Sequence, residues 1–175
     1  LCCTVRGDIH ETLMMLFGKR EKEQIPKFDR LVIETTGLAD PAPVIHTLMN
    51  DQLLDRRYFL GGVVTTIDAL NGLGTLNEHF ESQKQAAVAD RIVITKTDLL
   101  EGDLSNEKLG NLRELISSLN HLAPIIDLQT PEFNPDELFN TSLYDPETKG
   151  MNVRRWLNLE AEDFDHLQTH DAPHS

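Results

Sequence analysis

The amino-acid sequence predicts an α/β fold with a mostly parallel sheet covered by helices on both faces. Short apolar runs rich in β-branched residues, typical of buried strands, alternate along the chain with segments of helical spacing. Such alternation implies right-handed βαβ crossovers, and sheets of this kind bind ligands at the carboxyl ends of their strands. The predicted strands are residues 31–33, 62–67, 92–95 and 125–128.

Helices are predicted between these strands. Asp8 and Glu11 have the spacing of an N-terminal capping box and precede apolar residues at helical spacing, so a helix is expected over residues 8–22. Pro41 is typical of a first helical turn and opens a predicted helix through residue 50. The other predicted helices are residues 81–89, residues 105–119 and a short one at 136–139 among turns.

Charge excludes some classes of partner. The 175 residues carry 16 basic and 29 acidic side chains, a formal net charge of −13, and residues 101–175 alone hold 15 acidic and 5 basic ones. Nucleic acids and anionic membranes are repelled by such a field, so neither is expected as a partner. An anionic ligand can still bind at a local site.

Size and cysteine content indicate a soluble, cytoplasmic domain. The length suits one domain, and no apolar stretch approaches the roughly 18 residues of a membrane-spanning helix. The two cysteines, Cys2 and Cys3, are adjacent and cannot readily bridge each other, which predicts free thiols in a reducing compartment. Because the chain starts at Leu1 without Met or a secretory leader, we expect it to be cut from a longer protein.

A first candidate nucleotide-binding loop follows the first predicted strand. There Glu34 is followed by Gly37. A carboxylate and a glycine at a strand's carboxyl end can hold a magnesium-bound water and bring a backbone N–H to a terminal phosphate. An ordinary polar turn is the alternative interpretation.

A second candidate loop, Thr95-Lys96-Thr97-Asp98, follows the third predicted strand. A carboxylate such as that of Asp98 can accept two hydrogen bonds from guanine, whereas adenine has no such pair of donors, and a lysine stem can cover the base. The alternative is an Asp that caps the next turn. Together, the two loops favour nucleotide binding.

Candidate transition-metal ligands lie near both ends of the chain. The thiolates of Cys2 and Cys3 are soft ligands, but two neighbours cannot fill four tetrahedral positions, and inert cysteines are the alternative. The last ten residues hold His166, His170 and His174 among acidic residues. These imidazoles could load a divalent metal, and a solvated acidic linker is the alternative.

Four segments of the sequence are informative when taken together: residues 1–8 (LCCTVRGD), 28–41 (FDRLVIETTGLADP), 62–69 (GVVTTIDA) and 89–98 (ADRIVITKTD). In this order they closely resemble the CobW-type GTPases, which are metal-chaperone relatives of the nickel-insertion GTPases for urease and hydrogenase. The resemblance covers residues 1–128. It implies a P-loop GTPase-type sheet, and four separate motifs make it specific.

The resemblance implies roles for the residues at the two ends of this region. Cys2 and Cys3 match the last two cysteines of a Gly-Cys-x-Cys-Cys motif, which implies that they bind a transition metal such as zinc or cobalt. The guanine-binding loop is implied to comprise Thr95, Lys96 and Asp98, although Thr95 stands where many G proteins have Asn. Asp68 also matches a family position, but its residue type indicates no role beyond capping.

The resemblance also implies a catalytic role for the first loop. Glu34 would be the acid that holds Mg²⁺ and positions water, and Gly37 would sense the γ-phosphate through its backbone. However, the family's phosphate loop, Gly-x-x-x-x-Gly-Lys-Ser/Thr, occurs nowhere in the 175 residues; Gly18-Lys19-Arg20 is the nearest string. We therefore expect the first strand and phosphate loop of the fold to lie upstream of Leu1, or this fragment not to hydrolyse GTP.

The function expected from these observations is that of a GTP-binding metallochaperone. It would hydrolyse GTP, with Mg²⁺, to control the binding and delivery of a transition metal to a client metalloprotein. Residues 1–150 would be the GTPase domain and residues 151–175 an acidic, His-bearing linker or tail. The alternative of another class is a non-catalytic metal-buffering or protein-docking module; an adenine-specific phosphotransferase is a weaker one. The oligomeric state is not indicated.

Overall fold

The computed structural model describes residues 2–102, 105–131, 133–139, 143–151, 153–154 and 157, with side chains from residue 7 onward. The chain divides into two compact units. Unit 1 includes residues 2–36 and 41–60, and unit 2 includes residues 37–40 and 61–154. Within the described ranges, no helix is long and apolar enough to cross a membrane.

Unit 1 contains three helices: α1 (Cys2–Glu21), α2 (Ala42–Asn50) and α3 (Gln52–Asp55). α1 packs against α2 and α3, and the apolar residues buried in this unit include Leu13, Ala42, Ile45 and Leu54. Pro41 precedes α2 as predicted, because its fixed φ suits a helix start. α3 begins where the Asp51 carboxylate accepts the N–H of Leu53 at 2.9 Å.

Unit 2 contains a parallel three-stranded sheet in the order β1-β2-β3. The strands are β1 (Val64–Asp68), β2 (Arg91–Thr95) and β3 (Ile125–Asp127). Two helices, α4 (Gly72–Glu78) and α5 (Phe80–Val88), connect β1 to β2, and α6 (Ser105–Leu119) connects β2 to β3. These connections are the predicted βαβ crossovers.

The core of unit 2 lies where helices cover one face of the sheet. Strand residues alternate between faces, so Ile67 shares a face with Ile92 and Ile94. Helical residues of the same buried cluster are Leu76, Ala86, Leu112 and Ile116. On the opposite face Val93 is also buried, whereas Val64 of β1 is exposed. The central strand is therefore covered on both sides, as its uninterrupted apolar run predicts.

The predicted strand at residues 31–33 is wrong. These residues form an irregular segment, and the side chains of Val32 and Ile33 are 71% and 38% exposed. A strand requires a neighbour that completes its backbone hydrogen bonds, and none of the three described strands pairs with residues 31–33. An apolar run predicts burial, but it does not supply that neighbour.

The other predicted elements are confirmed with shifted ends. α1 begins at Cys2 rather than residue 8, so Asp8 lies inside the helix and the predicted capping box is not used. The preceding residues contain no proline that would have stopped the helix there. Gly18 also lies inside α1, so its Gly-Lys-Arg string is not a phosphate-binding loop. The short helix predicted at residues 136–139 is a 3-10 turn, Pro135–Leu138.

Candidate functional site

The carboxyl edge of the unit 2 sheet brings three polar strand ends together. Asp68 at the end of β1 lies opposite Thr95 at the end of β2, and Asp127 at the end of β3 lies opposite Ile94. The N–H of Ala69 donates to the carbonyl of Thr95 at 2.9 Å and extends this pairing past the strand. Parallel α/β sheets bind their ligands at this edge.

The loop of residues 95–99 leaves the central strand through a tight turn. Lys96 adopts a left-handed conformation, with φ 62 and ψ 27, and the 3-10 turn Thr97–Leu99 follows it. The N–H of Leu99 donates to the carbonyl of Lys96 at 3.1 Å. A left-handed conformation costs a non-glycine residue about 1–2 kcal/mol, so other contacts must hold Lys96 in place.

Lys96 forms an ion pair with Asp68. Its Nζ lies 2.6 Å from Asp68 Oδ2, and the two side chains are 54% and 24% exposed. The other oxygen of Asp68 accepts the N–H groups of Leu70 at 2.7 Å and Asn71 at 3.3 Å. The hydrogen bond from Lys96, helped by these turn N–H groups, lowers the pKa of Asp68 from 3.8 despite partial burial. Asp68 is therefore ionised at neutral pH.

The other residues of the loop differ in how they are held. The hydroxyl of Thr95 donates to the carbonyl of Ile67 at 3.4 Å, and that of Thr97 donates to Asp127 Oδ1 at 2.7 Å. Asp98 is exposed, and its carboxylate accepts no hydrogen bond from the part of the chain that the structure describes. A carboxylate at this position is chemically suited to a ligand with two adjacent N–H donors.

The loop that contains Gly37 belongs to unit 2 and is fastened to α5. Ser82 Oγ donates to the carbonyl of Gly37 at 3.3 Å, and Gln85 Nε2 donates to that of Ala39 at 2.8 Å. Lys84 Nζ lies 2.5 Å from Asp40 Oδ2. A Cβ at position 37 would meet no atom within 4 Å, so a ligand can approach this backbone closely.

The other predicted site residues belong to unit 1 or lie outside the described residues. Glu34 is exposed in the irregular segment of unit 1. The backbones of Cys2 and Cys3 form the first turn of α1, while their side chains lie outside the described part. His166, His170 and His174 also lie outside it. Among the described residues, no three His, Cys, Asp or Glu side chains converge on one point.

Two carboxylates at this edge make contacts that no short sequence motif indicates. Asp68 was assigned only a capping role, yet it both caps its turn and binds Lys96. Asp127 was predicted only as part of a strand, yet it accepts a hydrogen bond from Thr97. The available signal was position, because each residue ends a strand beside the strand that carries the loop.

Three comparisons with known proteins agree with this architecture. The family model for the CobW/HypB/UreG nucleotide-binding domain matches residues 1–127. Zinc chaperone YjiA of Escherichia coli is 35% identical over 142 residues, which are 81% of this chain and 42% of YjiA. Zinc-regulated GTPase metalloprotein activator 1 of Schizosaccharomyces pombe is 35% identical over 128 residues, which are 73% of this chain and 29% of that protein.

The fold has a solved counterpart. The crystal structure of Zn(II)-bound YjiA GTPase from E. coli superimposes with a TM-score of 0.65 at 36% sequence identity, over 76% of this chain and 40% of that one. The chain thus spans less than half the length of the relatives it matches. The resemblance to CobW-type GTPases and the P-loop GTPase-type fold are confirmed, and the chain belongs to the CobW/HypB/UreG nucleotide-binding family.

Proposed function

We propose that the protein is a cytoplasmic, GTP-binding metallochaperone that hydrolyses GTP to control the binding and delivery of zinc or cobalt to a client metalloprotein. The observation that carries this proposal is the loop of residues 95–99. It presents the Asp98 carboxylate, which accepts no hydrogen bond within the described chain, beside a lysine already held at the sheet edge. The relatives named a zinc chaperone and a zinc-regulated GTPase metalloprotein activator support the same function.

Guanine recognition is assigned to Asp98 and Lys96. The two oxygens of Asp98 would accept the ring N–H and the exocyclic amine of guanine, and the stem of Lys96 would lie against the face of the base. Thr95 completes the loop, with its hydroxyl directed at β1. Adenine has no matching pair of donors, so ATP would leave Asp98 desolvated without partners.

Phosphate and magnesium chemistry is assigned to Glu34 and Gly37. The exposed Glu34 carboxylate is a hard oxygen ligand that fits Mg²⁺, whose charge offsets that of the phosphates. The open space around Gly37 suits contact of its N–H with the γ-phosphate. Because these 175 residues contain no phosphate-loop string, binding and hydrolysis of GTP are proposed for the full-length protein.

The metal cargo is assigned to Cys2 and Cys3, at the first turn of α1. Thiolates suit zinc and cobalt, and additional ligands would come from elsewhere, with His166, His170 and His174 as candidates. In this proposal residues 1–150 form the GTPase domain and residues 151–175 the acidic, His-bearing tail. The nucleotide state of the loop at residues 34–41 would change the cysteine site and so switch retention of the metal to delivery.

A change of nucleotide preference tests the guanine assignment. Replacing the carboxylate by an amide (Asp98→Asn) offers one donor in place of one acceptor, so the full-length variant should lose GDP affinity by at least about tenfold and gain affinity for xanthosine diphosphate. Isothermal titration calorimetry with both nucleotides measures this. Asp136→Asn, on an exposed turn elsewhere, is the matched control. Unchanged GDP binding by Asp98→Asn would reject the assignment.

Metal affinity in two nucleotide states tests the coupling. With a non-hydrolysable GTP analogue and with GDP, the full-length protein should bind Zn²⁺ with different affinities. The difference should disappear in Glu34→Ala, and tight binding should disappear in Cys3→Ala. Equal affinity in both states, together with loss of zinc binding on deletion of residues 160–175, would instead favour a non-catalytic metal-buffering module.

A further inference from the structure

The loop of residues 95–99 is tied to both neighbouring strands. β2 is the central strand, and each of its neighbours ends in an aspartate. Lys96 binds the carboxylate that ends β1, and Thr97 binds the carboxylate that ends β3. Consecutive residues of one loop thus reach in opposite directions across the sheet edge.

These two side-chain contacts offset the cost of an unfavourable backbone conformation. Lys96 has a φ of 62, which a lysine adopts at a cost of about 1–2 kcal/mol. The turn at this residue lets Lys96 and Thr97 reach opposite neighbours and leaves Asp98 exposed. The hydroxyl of Thr95 makes only a long hydrogen bond, at 3.4 Å, to β1. The short side-chain hydrogen bonds that connect residues 95–97 to the neighbouring strands are therefore those of the two aspartates.

The two aspartates use different chemistry. Asp68 divides its oxygens, since Oδ1 accepts turn N–H groups while Oδ2 lies 2.6 Å from the Lys96 ammonium. That second contact requires the negative charge. Asp127 Oδ1 accepts the Thr97 hydroxyl at 2.7 Å and the N–H of Gln129 at 3.0 Å, and a neutral amide oxygen can accept both of these hydrogen bonds.

We propose that Asp68 and Asp127 are positioning residues for guanine recognition, which hold the loop from both sides in the shape that presents Asp98 to the base. The inference rests on the proposed function, since it concerns the same nucleotide site. Neither aspartate is required to contact the nucleotide. Each acts through the loop residue that it binds.

The different chemistry of the two sites predicts a pattern among conservative variants of the full-length protein. Asp68→Asn keeps an oxygen for the turn but loses the charge that binds Lys96, so it should weaken GDP binding about three- to tenfold. Asp127→Asn should bind GDP like the wild type, whereas Asp127→Ala should show a loss similar to that of Asp68→Asn. Asp145→Asn, which keeps a turn cap elsewhere in unit 2, is the matched control and should change nothing.

Two further measurements separate positioning from a general structural role. The urea midpoint of Asp68→Asn should stay close to that of the wild type. In a Lys96→Ala background, Asp68→Asn should cause no further loss of GDP affinity, because its partner is already absent.

The GDP-binding results distinguish failure of this inference from failure of the proposed function. Additive losses in the double variant, or unchanged GDP binding by Asp68→Asn and Asp127→Ala, would overturn the inference and leave the proposed function intact. A wild-type protein that binds no GDP would overturn the proposed function and this inference with it.

Discussion

The two edges of the unit 2 sheet each contain a lysine–aspartate ion pair, and the two pairs differ in burial. At the carboxyl edge Lys96 binds Asp68, and the lysine side chain is 54% exposed. At the amino edge Lys149 binds Asp90, with side chains 7% and 20% exposed. The same two functional groups thus occupy very different environments within one small sheet.

The contacts around the amino-edge pair explain its burial. Lys149 Nζ also donates to the carbonyl of Ala89 at 3.1 Å, and Asp90 accepts the N–H of Val63 at 2.8 Å. Nearby, Asn120 Nδ2 donates to three backbone carbonyls of residues 86–89 at 2.9–3.2 Å. This edge fastens the end of α5, the start of β1 and the segment around Lys149 to one another.

The contribution of such an ion pair to stability depends on how far solvent reaches it. Breaking a buried pair leaves a charge without water or partner and is costly, whereas an exposed pair exchanges cheaply with water. Loss of the lysine should therefore destabilise the protein more at the amino edge than at the carboxyl edge.

Removing the lysine of each pair in turn should separate the two edges most clearly. Lys149→Met removes a lysine side chain that is only 7% exposed and leaves the partly buried Asp90 with the N–H of Val63 as a partner, so it should lower the free energy of unfolding by about 3 kcal/mol. Lys96→Met should lower it by less than about 1 kcal/mol, because water replaces the ammonium. Urea unfolding of the 175-residue chain, followed by circular dichroism, measures both. Equal losses of unfolding free energy for the two variants would show that burial of the lysine does not make the amino-edge pair more important for stability.

Two asparagines allow the next comparison. Asn120→Ala leaves buried carbonyls without their donor and removes an acceptor for the N–H of Ala123, so a loss of about 2–3 kcal/mol is expected. Asn71, whose side chain makes one exposed hydrogen bond of 3.4 Å to Asp68, is the control at the other edge. Asn71→Ala should cost less than about 0.5 kcal/mol in the same measurement. A larger loss for Asn71→Ala than for Asn120→Ala would contradict this.

A smaller effect is expected for Tyr144 at the amino edge. Its ring lies 5.2 Å from Lys149 Nζ, and its hydroxyl is buried with no hydrogen-bond partner in the described chain. Tyr144→Phe should therefore leave stability at neutral pH unchanged or raise it by up to about 1 kcal/mol. A loss above that size would show that the hydroxyl has a partner.

Tyr144 should also make the stability of the folded chain depend on alkaline pH. Burial, and then the Asp90 carboxylate, raise the pKa of Tyr144 above its ordinary value of 10. The folded state therefore favours the neutral phenol. The contribution of Tyr144 to the free energy of unfolding is complete below the pKa of tyrosine in the unfolded chain, and it is lost as the pH rises above that value. The wild-type chain should lose stability as the pH rises above 10, measured relative to Tyr144→Phe.

The smallest expected effect is the acid dependence of the carboxyl-edge pair. The pKa of Asp68 is lower in the folded state than its ordinary value of 3.8, chiefly because of Lys96. Ionised Asp68 therefore contributes to the free energy of unfolding above pH 3.8, and this contribution is lost as the pH falls through the pKa of Asp68 in the folded state. The small stability difference expected between wild type and Asp68→Asn at neutral pH should shrink on acidification. A stability difference that grows on acidification would contradict a lowered pKa of Asp68 in the folded state.

Much of the fold could be predicted because its signals are local. The strands at residues 92–95 and 125–128 and the helices at 81–89 and 105–119 match observed elements within a residue or two. The strand at residues 31–33 failed because its apolar run carries no information about a pairing partner. α4 was not predicted, since its sequence contains two glycines and lacks a long apolar periodicity.

The candidate site was predictable in part for the same reason. The sequence indicates Thr95, Lys96 and Asp98 because their motif lies within four consecutive residues after a strand. The contacts that hold this motif come from Asp68 and Asp127, 28 and 30 residues away along the chain from the residues they bind. No local pattern links such residues, and only the register of the sheet brings them into contact.

Hydrophobic periodicity and short motifs act within a few residues, so the α/β alternation, the family and the two polar loops follow from the sequence alone. Tertiary structure alone decided which lysine meets which aspartate and how much water reaches each pair. Lys149 lies 59 residues from Asp90 along the chain. Its side chain is buried in this ion pair, whereas the side chain of Lys96 is exposed in the other. Burial is a property of the packed neighbourhood, so the strength of a charge pair is set by the fold rather than by the residue types.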